Sequence, residues 1–268
     1  MQVDVFQPPE GHPLRPYVML IFRVRRGGEL RETILPKGNV DLLFNLGDPL
    51  AVSGSEVRAD RFAAAESRVG GVQTRPLTTS PGGGVHLLGV SLRMESCAAF
   101  MPLPLNEITD AVVEGPQLFP DLRDLCGRMA DAPGFREQCA LLTRWLLARL
   151  RPSPAAATVR HACALLRAAP ADEAVRATAK ALAVSPRHLR RMFHEQVGVS
   201  PREYVRVARF ADALQALASP RAGLAEAALS AGYYDQAHFC HEFRVFAGMT
   251  PQEYRRASGQ APGHILFP

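Results

Sequence analysis

The chain has 268 residues, 47% of them hydrophobic, and a formal net charge of +5. This length suffices to bury a full core and predicts two domains. No apolar run is long enough for a membrane span and no basic-then-apolar leader opens the sequence, so we expect a cytoplasmic protein without membrane contact. Five irregularly spaced cysteines without a Cys-x-x-Cys pair argue against a disulfide framework and a structural zinc site.

The first part of the chain is rich in short β-type runs. Between Tyr17 and Leu92 these runs are separated by Gly- and Pro-containing turns, which predicts a small barrel or sandwich. From Glu95 onward the pattern becomes helical, with one helix predicted over residues 117–130. We therefore expect residues 1–150 to form a β-rich, barrel-like domain with trailing helices.

The last predicted helix of this part spans residues 136–150 and has a strong apolar face. That face consists of Leu141, Leu142, Trp145 and Leu146. Such a face either packs into the domain's own core or pairs two copies of the chain. Pro152 and Pro154 follow the helix and mark the predicted domain linker.

Beyond the linker the sequence contains an internal duplication. The heptapeptide GVSPREY at 198–204 recurs as GMTPQEY at 248–254, an offset of fifty residues. Upstream, residues 178–184 align with 227–233 at an offset of forty-nine, so the second copy has one extra residue in the intervening turn. Small residues at the turn, followed by a helix with an apolar i, i+4 pair, are typical of a helix-turn-helix.

We therefore predict an all-α domain over residues 155–256. It contains two helix-turn-helix units, at 175–198 and 224–247, joined by a long helix over 201–217. Ser185 and Asp235 are the expected N-caps of the second helix in each unit. The complete fold class is thus α+β, with the β-rich part first and the all-α part second.

The second helix of the first unit has a basic outer face. If Ser185 caps it, Leu189 and Phe193 share the buried side, which leaves other side chains outward. The outward residues that we assign to DNA contact are Arg187, His188, Arg190 and Arg191. Arginine can bond guanine O6 and N7 together, or a phosphate. Residues 175–209 carry eight Lys and Arg against two Asp and Glu, which favours a nucleic-acid partner.

The corresponding helix of the second unit is chemically different. Its candidate contact residues are Gln236, Ala237, Cys240 and His241. Glutamine can pair with adenine and alanine can meet a thymine methyl group, but a guanidinium is missing from this set. His238, Cys240 and His241 also suggest a metal site, yet their i, i+2, i+3 spacing spreads them over different helix faces, so we predict none.

These motifs carry a family resemblance. Residues 155–256, and especially GYYDQAHF at 232–239 with GMTP at 248–251, resemble the two-helix-turn-helix DNA-binding domain of AraC-type transcriptional regulators. The resemblance places the base-reading positions on Arg187, Arg190 and Arg191 in the first unit. In the second unit it places them on Gln236, Ala237, Cys240 and His241.

The β-rich half resembles the cupin-like domain that often precedes such DNA-binding domains. The resemblance rests on residues 33–44 (TILPKGNVDLLF), 71–76 (GVQTRP) and 89–92 (GVSL). The resemblance implies that residues 1–150 sense a small-molecule effector or serve for oligomerisation. The polar residues that we select as effector contacts are Asp41, Arg75 and His86.

The leading hypothesis is a sequence-specific transcriptional regulator that is not an enzyme and needs no cofactor. Its expected partners are double-stranded DNA, a small-molecule effector and a second copy of the chain, with an RNA polymerase contact left open. A second hypothesis is a metal-dependent cupin-like enzyme, although residues 1–150 contain only His12 and His86 as imidazole ligands. A thiol sensor that uses Cys97, Cys126 or Cys139 is a third hypothesis, and a nucleic-acid binder without sequence preference is a fourth.

Overall fold

A computed structural model describes residues 1–28, 30–54, 60–169, 173–219, 223–257 and 262–267. Within these ranges the chain forms eleven strands and ten α-helices, strands first, and the predicted α+β class is confirmed. The strands are β1 Gln2–Phe6, β2 Val18–Arg26, β3 Arg31–Ile34, β4 Asn39–Asn45, β5 Leu50–Gly54, β6 Asp60–Phe62, β7 Glu66–Gly70, β8 Leu77–Pro81, β9 Val85–Arg93, β10 Val112–Glu114 and β11 His264–Phe267.

The ten helices follow β10 in the chain, and β11 comes after the last helix. They are α1 Gly115–Leu118, α2 Leu122–Ala130, α3 Phe135–Arg149, α4 Pro154–Ala168, α5 Ala174–Ala181, α6 Pro186–Val197, α7 Pro201–Leu217, α8 Leu224–Ser230, α9 Gln236–Ala247 and α10 Pro251–Ala257. Two short 3-10 turns, Cys97–Ala99 and Leu105–Glu107, connect β9 to β10.

The strands build two antiparallel sheets. One has the order β1-β2-β9-β4-β7-β10 and the other the order β11-β3-β8-β5-β6. Because side chains alternate along a strand, each sheet has two distinct faces. Leu43 packs with Leu50, Val52 and Phe62 of the opposite sheet, whereas Phe44, one residue on, lies in the larger core. The helices α1 and α2 contact β7 of the six-stranded sheet.

The apolar face predicted on residues 136–150 lies inside the molecule. Leu142 and Leu146 are fully buried and Trp145 is 8% exposed. The Trp145 indole donates a hydrogen bond to Asp121 (2.9 Å), and its ring meets Phe119 edge-on. This face of α3 therefore packs into the chain's own core, the first of the two arrangements that the sequence allowed.

The long helix α7 joins the two helix-turn-helix units. At its start Tyr204 contacts Phe193 of α6, with ring centroids 5.7 Å apart. Further along, Phe210 packs against Phe243 and Phe246 of α9 at 5.0 and 4.9 Å. Since one continuous helix contributes to both small cores, it fixes the two units relative to each other.

The two halves of the chain contact each other both near the first unit and beyond the second unit. Near the first unit, the Thr109 hydroxyl donates to the carbonyl of Gly198 (2.7 Å), which ends α6. Beyond the second unit, β11 pairs with β3 of the β-rich half in antiparallel register. The Gly263 carbonyl accepts from the Leu35 amide at 2.8 Å. The sequence had not predicted this last strand.

Candidate nucleic-acid interface

The first unit consists of α5, a turn and α6, and its recognition helix begins as predicted. The Ser185 hydroxyl accepts a hydrogen bond from the His188 amide (3.1 Å). Pro186 stands at the first helical position, where its missing N–H costs nothing. Leu189 and Phe193 are fully buried, which confirms the predicted inner side of the helix.

The outer side of α6 is basic along its first two turns. Arg187, Arg190 and Arg191 are all exposed. His188 is half-buried, and its Nδ1 lies 3.1 Å from an Arg191 guanidinium nitrogen. The three arginines therefore extend from one accessible surface at the N-terminal half of the helix, the part that reaches base edges when such a helix enters a major groove.

A recess beside this surface gathers further arginines. Arg190 lines it together with Arg176 of α5 and Arg202 at the start of α7. Its remaining wall includes Pro186 and Ser200, which lie at the beginnings of α6 and α7. Helix N-termini carry partial positive charge, so guanidinium groups and helix ends both favour an anion in this recess. Sequence reasoning did not select Arg176 or Arg202, although the basic balance of residues 175–209 included them.

The second unit repeats the arrangement with α8 and α9. Asp235 caps α9 by accepting from the His238 amide at 2.7 Å, as predicted. Phe239 and Phe243 are fully buried and continue into the core around α7. Gln236, Ala237 and His241 are exposed, and Cys240 is half-buried. The outer face of this helix is thus accessible but lacks the guanidinium groups of its counterpart over the same positions.

One arginine near the second unit serves to hold the helices together. Arg206 of α7 makes two hydrogen bonds to the Glu242 carboxylate on α9, at 2.8 and 3.1 Å. It also contacts Glu203, and its guanidinium lies over the Phe246 ring. With its charge compensated twice, Arg206 fixes α9 to α7 and is not available as a free cation for a ligand.

The three residues selected as effector contacts do not line a common pocket. Asp41 accepts hydrogen bonds from Ser91 and Asn39 on its own sheet. Asp41 on β4 and Ser91 on β9 are directly paired and lie on the same face of the sheet. His86 lies five residues before Ser91 on β9. An odd separation puts His86 on the opposite face of the sheet. Arg75 is exposed in the connection between β7 and β8.

His86 instead belongs to an open recess on the outside of the β-rich half. Its Nε2 accepts from Arg25 across the paired strands (3.4 Å). Burial, followed by the positive charges of Arg25 and Arg23, lowers the pKa of His86. A neutral imidazole is consistent with this hydrogen bond, because the ring nitrogen must be unprotonated to accept it.

The cysteines considered for a thiol sensor are buried. Burial raises the pKa of Cys126 and of Cys139 to about 11, and it raises the pKa of Cys97 still further. A reactive thiol needs a lowered pKa, so these environments oppose thiolate formation. Among the residues that the structure describes, no three His, Cys, Asp or Glu side chains group as metal ligands would. Over the same residues, no helix combines the length and apolarity needed to cross a bilayer.

Comparisons with known proteins match the two halves separately. Residues 178–257 match a family described as a helix-turn-helix domain, and residues 5–114 match a domain family of unknown function. A helix-turn-helix transcriptional regulator from Rhizobium meliloti, GlxA, is 35% identical over 83 residues, which are 31% of this chain and 26% of that protein. An uncharacterised regulator of the same type from Haemophilus influenzae is 30% identical over 67 residues.

The chain spans about a quarter of the length of these curated relatives, 26% and 22%. Among solved structures, apo ToxT K231A from Vibrio cholerae aligns over 88% of this chain and 97% of its own, with a TM-score of 0.52 and 9% identity. Wild-type ToxT with a bound unsaturated fatty acid aligns over 95% of this chain and 94% of its own, with a TM-score of 0.51 and 10% identity. At such low identity the similarity concerns the fold.

Proposed function

We propose that this chain is a sequence-specific DNA-binding transcriptional regulator of the AraC type. Its residues 178–257 match a helix-turn-helix domain family, which supports the proposal. The observation that carries the proposal is the pair of capped helices, α6 and α9, with exposed polar N-terminal halves. They are held on one connecting helix, α7. Two such helices on a common support are suited to successive turns of one DNA groove.

The first unit supplies most of the affinity in this proposal. Arg187, Arg190 and Arg191 offer guanidinium groups to guanine edges or to phosphates. The recess between Arg176, Arg190 and Arg202 is suited to a backbone phosphate, because cations and two helix N-termini converge there. Gln236, Ala237, Cys240 and His241 offer only neutral contacts in the second half-site. The half-sites are expected roughly 34 Å apart, one turn of the duplex.

The β-rich half is proposed to sense a small molecule and to pair two copies of the chain. ToxT, which has a similar fold, binds an unsaturated fatty acid, and this supports a small-molecule ligand for the present chain. The exposed Val3 and Val5 on the edge strand β1 favour contact between copies. We place the protein in the cytoplasm, and the proposal extends to a contact with RNA polymerase. Sedimentation at micromolar concentration tests the dimer.

Binding-site selection from random duplex DNA with the full chain tests the function. The expected result is an enriched motif with two half-sites, of which the first is more strongly constrained. Replacing Arg187, Arg190 and Arg191 together by Ala should abolish the enrichment of the first half-site. Recovery of random sequences by the unmodified chain would contradict sequence-specific recognition, and binding that follows only duplex length and salt would favour a non-specific nucleic-acid binder.

A further inference from the structure

The turn of the second helix-turn-helix unit is one residue longer than that of the first, and the structure identifies the additional residue. In the first unit the Val184 amide donates to the Ala179 carbonyl, and in the second the Tyr233 amide donates to the Ala228 carbonyl, both at 3.0 Å. Val184 and Tyr233 are therefore equivalent. Val184 is followed directly by the N-cap Ser185, whereas Tyr234 stands between Tyr233 and the N-cap Asp235.

The extra residue is a tyrosine with its side chain in solvent. Tyr234 is 88% exposed, whereas its neighbour Tyr233 is 4% exposed and Phe239 is fully buried. Its phenol makes no hydrogen bond or ring contact with the part of the chain that the structure describes. The fold of the second unit does not depend on the Tyr234 side chain. We therefore consider contacts between Tyr234 and a partner molecule.

The position of Tyr234 decides which partner it can reach. It precedes the first turn of α9, next to the exposed Gln236 and Ala237 that would enter the groove. When a recognition helix inserts its N-terminus between the two strands, the residue just before its cap lies at the groove edge, beside the phosphates. Tyrosine hydroxyl groups are among the donors that bind phosphate oxygens there.

The second recognition helix has fewer cationic side chains at its candidate DNA contacts than the first. The first recognition helix has three exposed arginines, and the four candidate contacts of α9 include none. Without a guanidinium at these four positions, the N-terminal part of α9 gains less from the charged DNA backbone than that of α6, so its insertion depends more on directed hydrogen bonds.

We propose that the Tyr234 hydroxyl donates a hydrogen bond to a backbone phosphate oxygen at the second half-site and thereby anchors α9 in the groove. The proposal rests on the proposed DNA-binding function. It makes Tyr234 a contact for affinity with no part in base selection, because phosphates carry no sequence information.

The test measures binding of full-length Tyr234→Ala, Tyr234→Phe and Val245→Ala proteins to DNA with both half-sites. Both Tyr234 variants lack the hydroxyl donor and should bind about tenfold more weakly, the effect of one hydrogen bond to a charged group. Val245→Ala is the matched control, since Val245 is 52% exposed near the opposite end of α9. It should bind within about twofold of the unmodified chain.

A salt titration separates this contact from an arginine contact. Because tyrosine is uncharged, the slope of log K against log salt should stay the same in both variants, whereas loss of a phosphate-bound Arg lowers the slope by about one. The preferred base sequence should also stay the same.

The outcomes distinguish the inference from the function it rests on. If the unmodified chain shows no specific binding, the proposed function fails. If it binds and Tyr234→Phe binds equally well, the phosphate hydrogen bond is overturned, whatever Tyr234→Ala does. A changed base preference in either variant would also overturn it. Unfolding midpoints, unchanged for an exposed side chain, exclude a folding defect as the cause.

Discussion

Side chains of different chemistry occupy the outer faces of the two recognition helices. Arg191 on α6 can make two parallel hydrogen bonds to guanine, a contact worth roughly 1–3 kcal/mol. His241 on α9 offers a single hydrogen bond to a base edge. Arg191→Ala should therefore weaken binding about tenfold or more and relax preference at one or two base pairs of the first half-site. Competition assays with single-base variants of the selected site measure both effects.

His241→Ala is the comparison for this substitution and should cost clearly less affinity. Both residues are exposed in the free chain, so neither replacement should alter folding. A larger loss for His241→Ala would show that the second unit dominates recognition. Uniform weakening across all sequences in Arg191→Ala would assign Arg191 to a phosphate.

Replacement by alanine should have opposite effects on stability at two glycines, Gly71 and Gly127. A Cβ on Gly71, which is buried after β7, would collide with the backbone carbonyl of Ile108. Because backbone atoms cannot move aside, Gly71→Ala should destabilise the protein by about 3 kcal/mol. Gly127 lies within α2 with open space around it, so Gly127→Ala should stabilise by about 0.5–1 kcal/mol.

Denaturant unfolding followed by circular dichroism compares the two variants with the parent chain. The Gly71 variant should unfold at a lower denaturant concentration and the Gly127 variant at a higher one. Equal midpoints for all three proteins would mean that the backbone near Ile108 accommodates a methyl group.

At the scale of elements, the helices of the second half could be predicted closely from sequence. Ser or Asp caps, Pro at the first helical position and Gly at the end specify local backbone geometry. The helix predicted over residues 201–217 has those bounds in the structure. The single helix predicted over 117–130 is wrong, because Pro120 separates α1 from α2.

Strands were predicted less completely because their stability depends on distant partners. β8 has the sequence LTTSP and β11 is only four residues long, so neither has a distinctive local pattern. The same limit applies to the sites. The outward arginines of α6 follow from helix periodicity, but the recess with Arg176 and Arg202 depends on how three elements pack. Strand pairing, which composition does not specify, separates Asp41 from His86.

The register of β11 against β3 can be tested with a disulfide. Arg31 and Phe267 are directly paired across the strands and both are exposed. Cβ atoms of such pairs lie about 4.5–5.5 Å apart, close enough for small strand shifts to allow an S–S bond. Arg31→Cys combined with Phe267→Cys should therefore crosslink on mild oxidation, which mass spectrometry under non-reducing conditions detects.

Arg31→Cys combined with Leu266→Cys is the control for register. Leu266 is one residue from Phe267, so its side chain points to the other face of the strand. Crosslinking of the control pair in preference to Arg31 and Phe267 would show a register shifted by one residue.

At the scale of the whole molecule, three hydrogen-bonded side chains attach the last strand, β11, to the β-rich half. His264 Nδ1 lies 2.6 Å from a Glu32 carboxylate oxygen, and His264 Nε2 lies 2.9 Å from Lys37 Nζ. A carboxylate only accepts and an ammonium only donates, so a neutral His264 with its proton on Nδ1 satisfies both. Burial and the nearby Lys37 lower the pKa of His264, in agreement with the neutral form.

This arrangement predicts weaker stability in mild acid. A histidine whose pKa is lowered on folding contributes stability above its ordinary value of 6.5, and the contribution is lost as pH falls, because the unfolded chain binds the proton first. Glu32 acts in the same direction at lower pH. Burial tends to raise its pKa, but the hydrogen bond to His264 and the positive charges of Arg26, Lys37 and, once protonated in acid, His264 lower it overall.

Thermal unfolding from about pH 7.5 to about pH 5 tests the role of His264. His264→Gln keeps a donor and an acceptor but cannot be protonated, so its midpoint should fall less over this range than that of the parent chain. Parallel curves for the two proteins would assign the acid sensitivity to other groups.

The attachment of β11 also has a consequence for the order in which the protein acquires its structure. Glu32 and His264 are 232 positions apart, so β3 leaves the ribosome long before its partner strand. Until residues 264–267 have been made, β3 pairs only with β8 and leaves an open strand edge on the five-stranded sheet. Such edges recruit other chains during synthesis. The five-stranded sheet, which begins with β3, is therefore completed only when β11 has been made, and nascent chains that stop before residue 264 should be the ones most prone to aggregate.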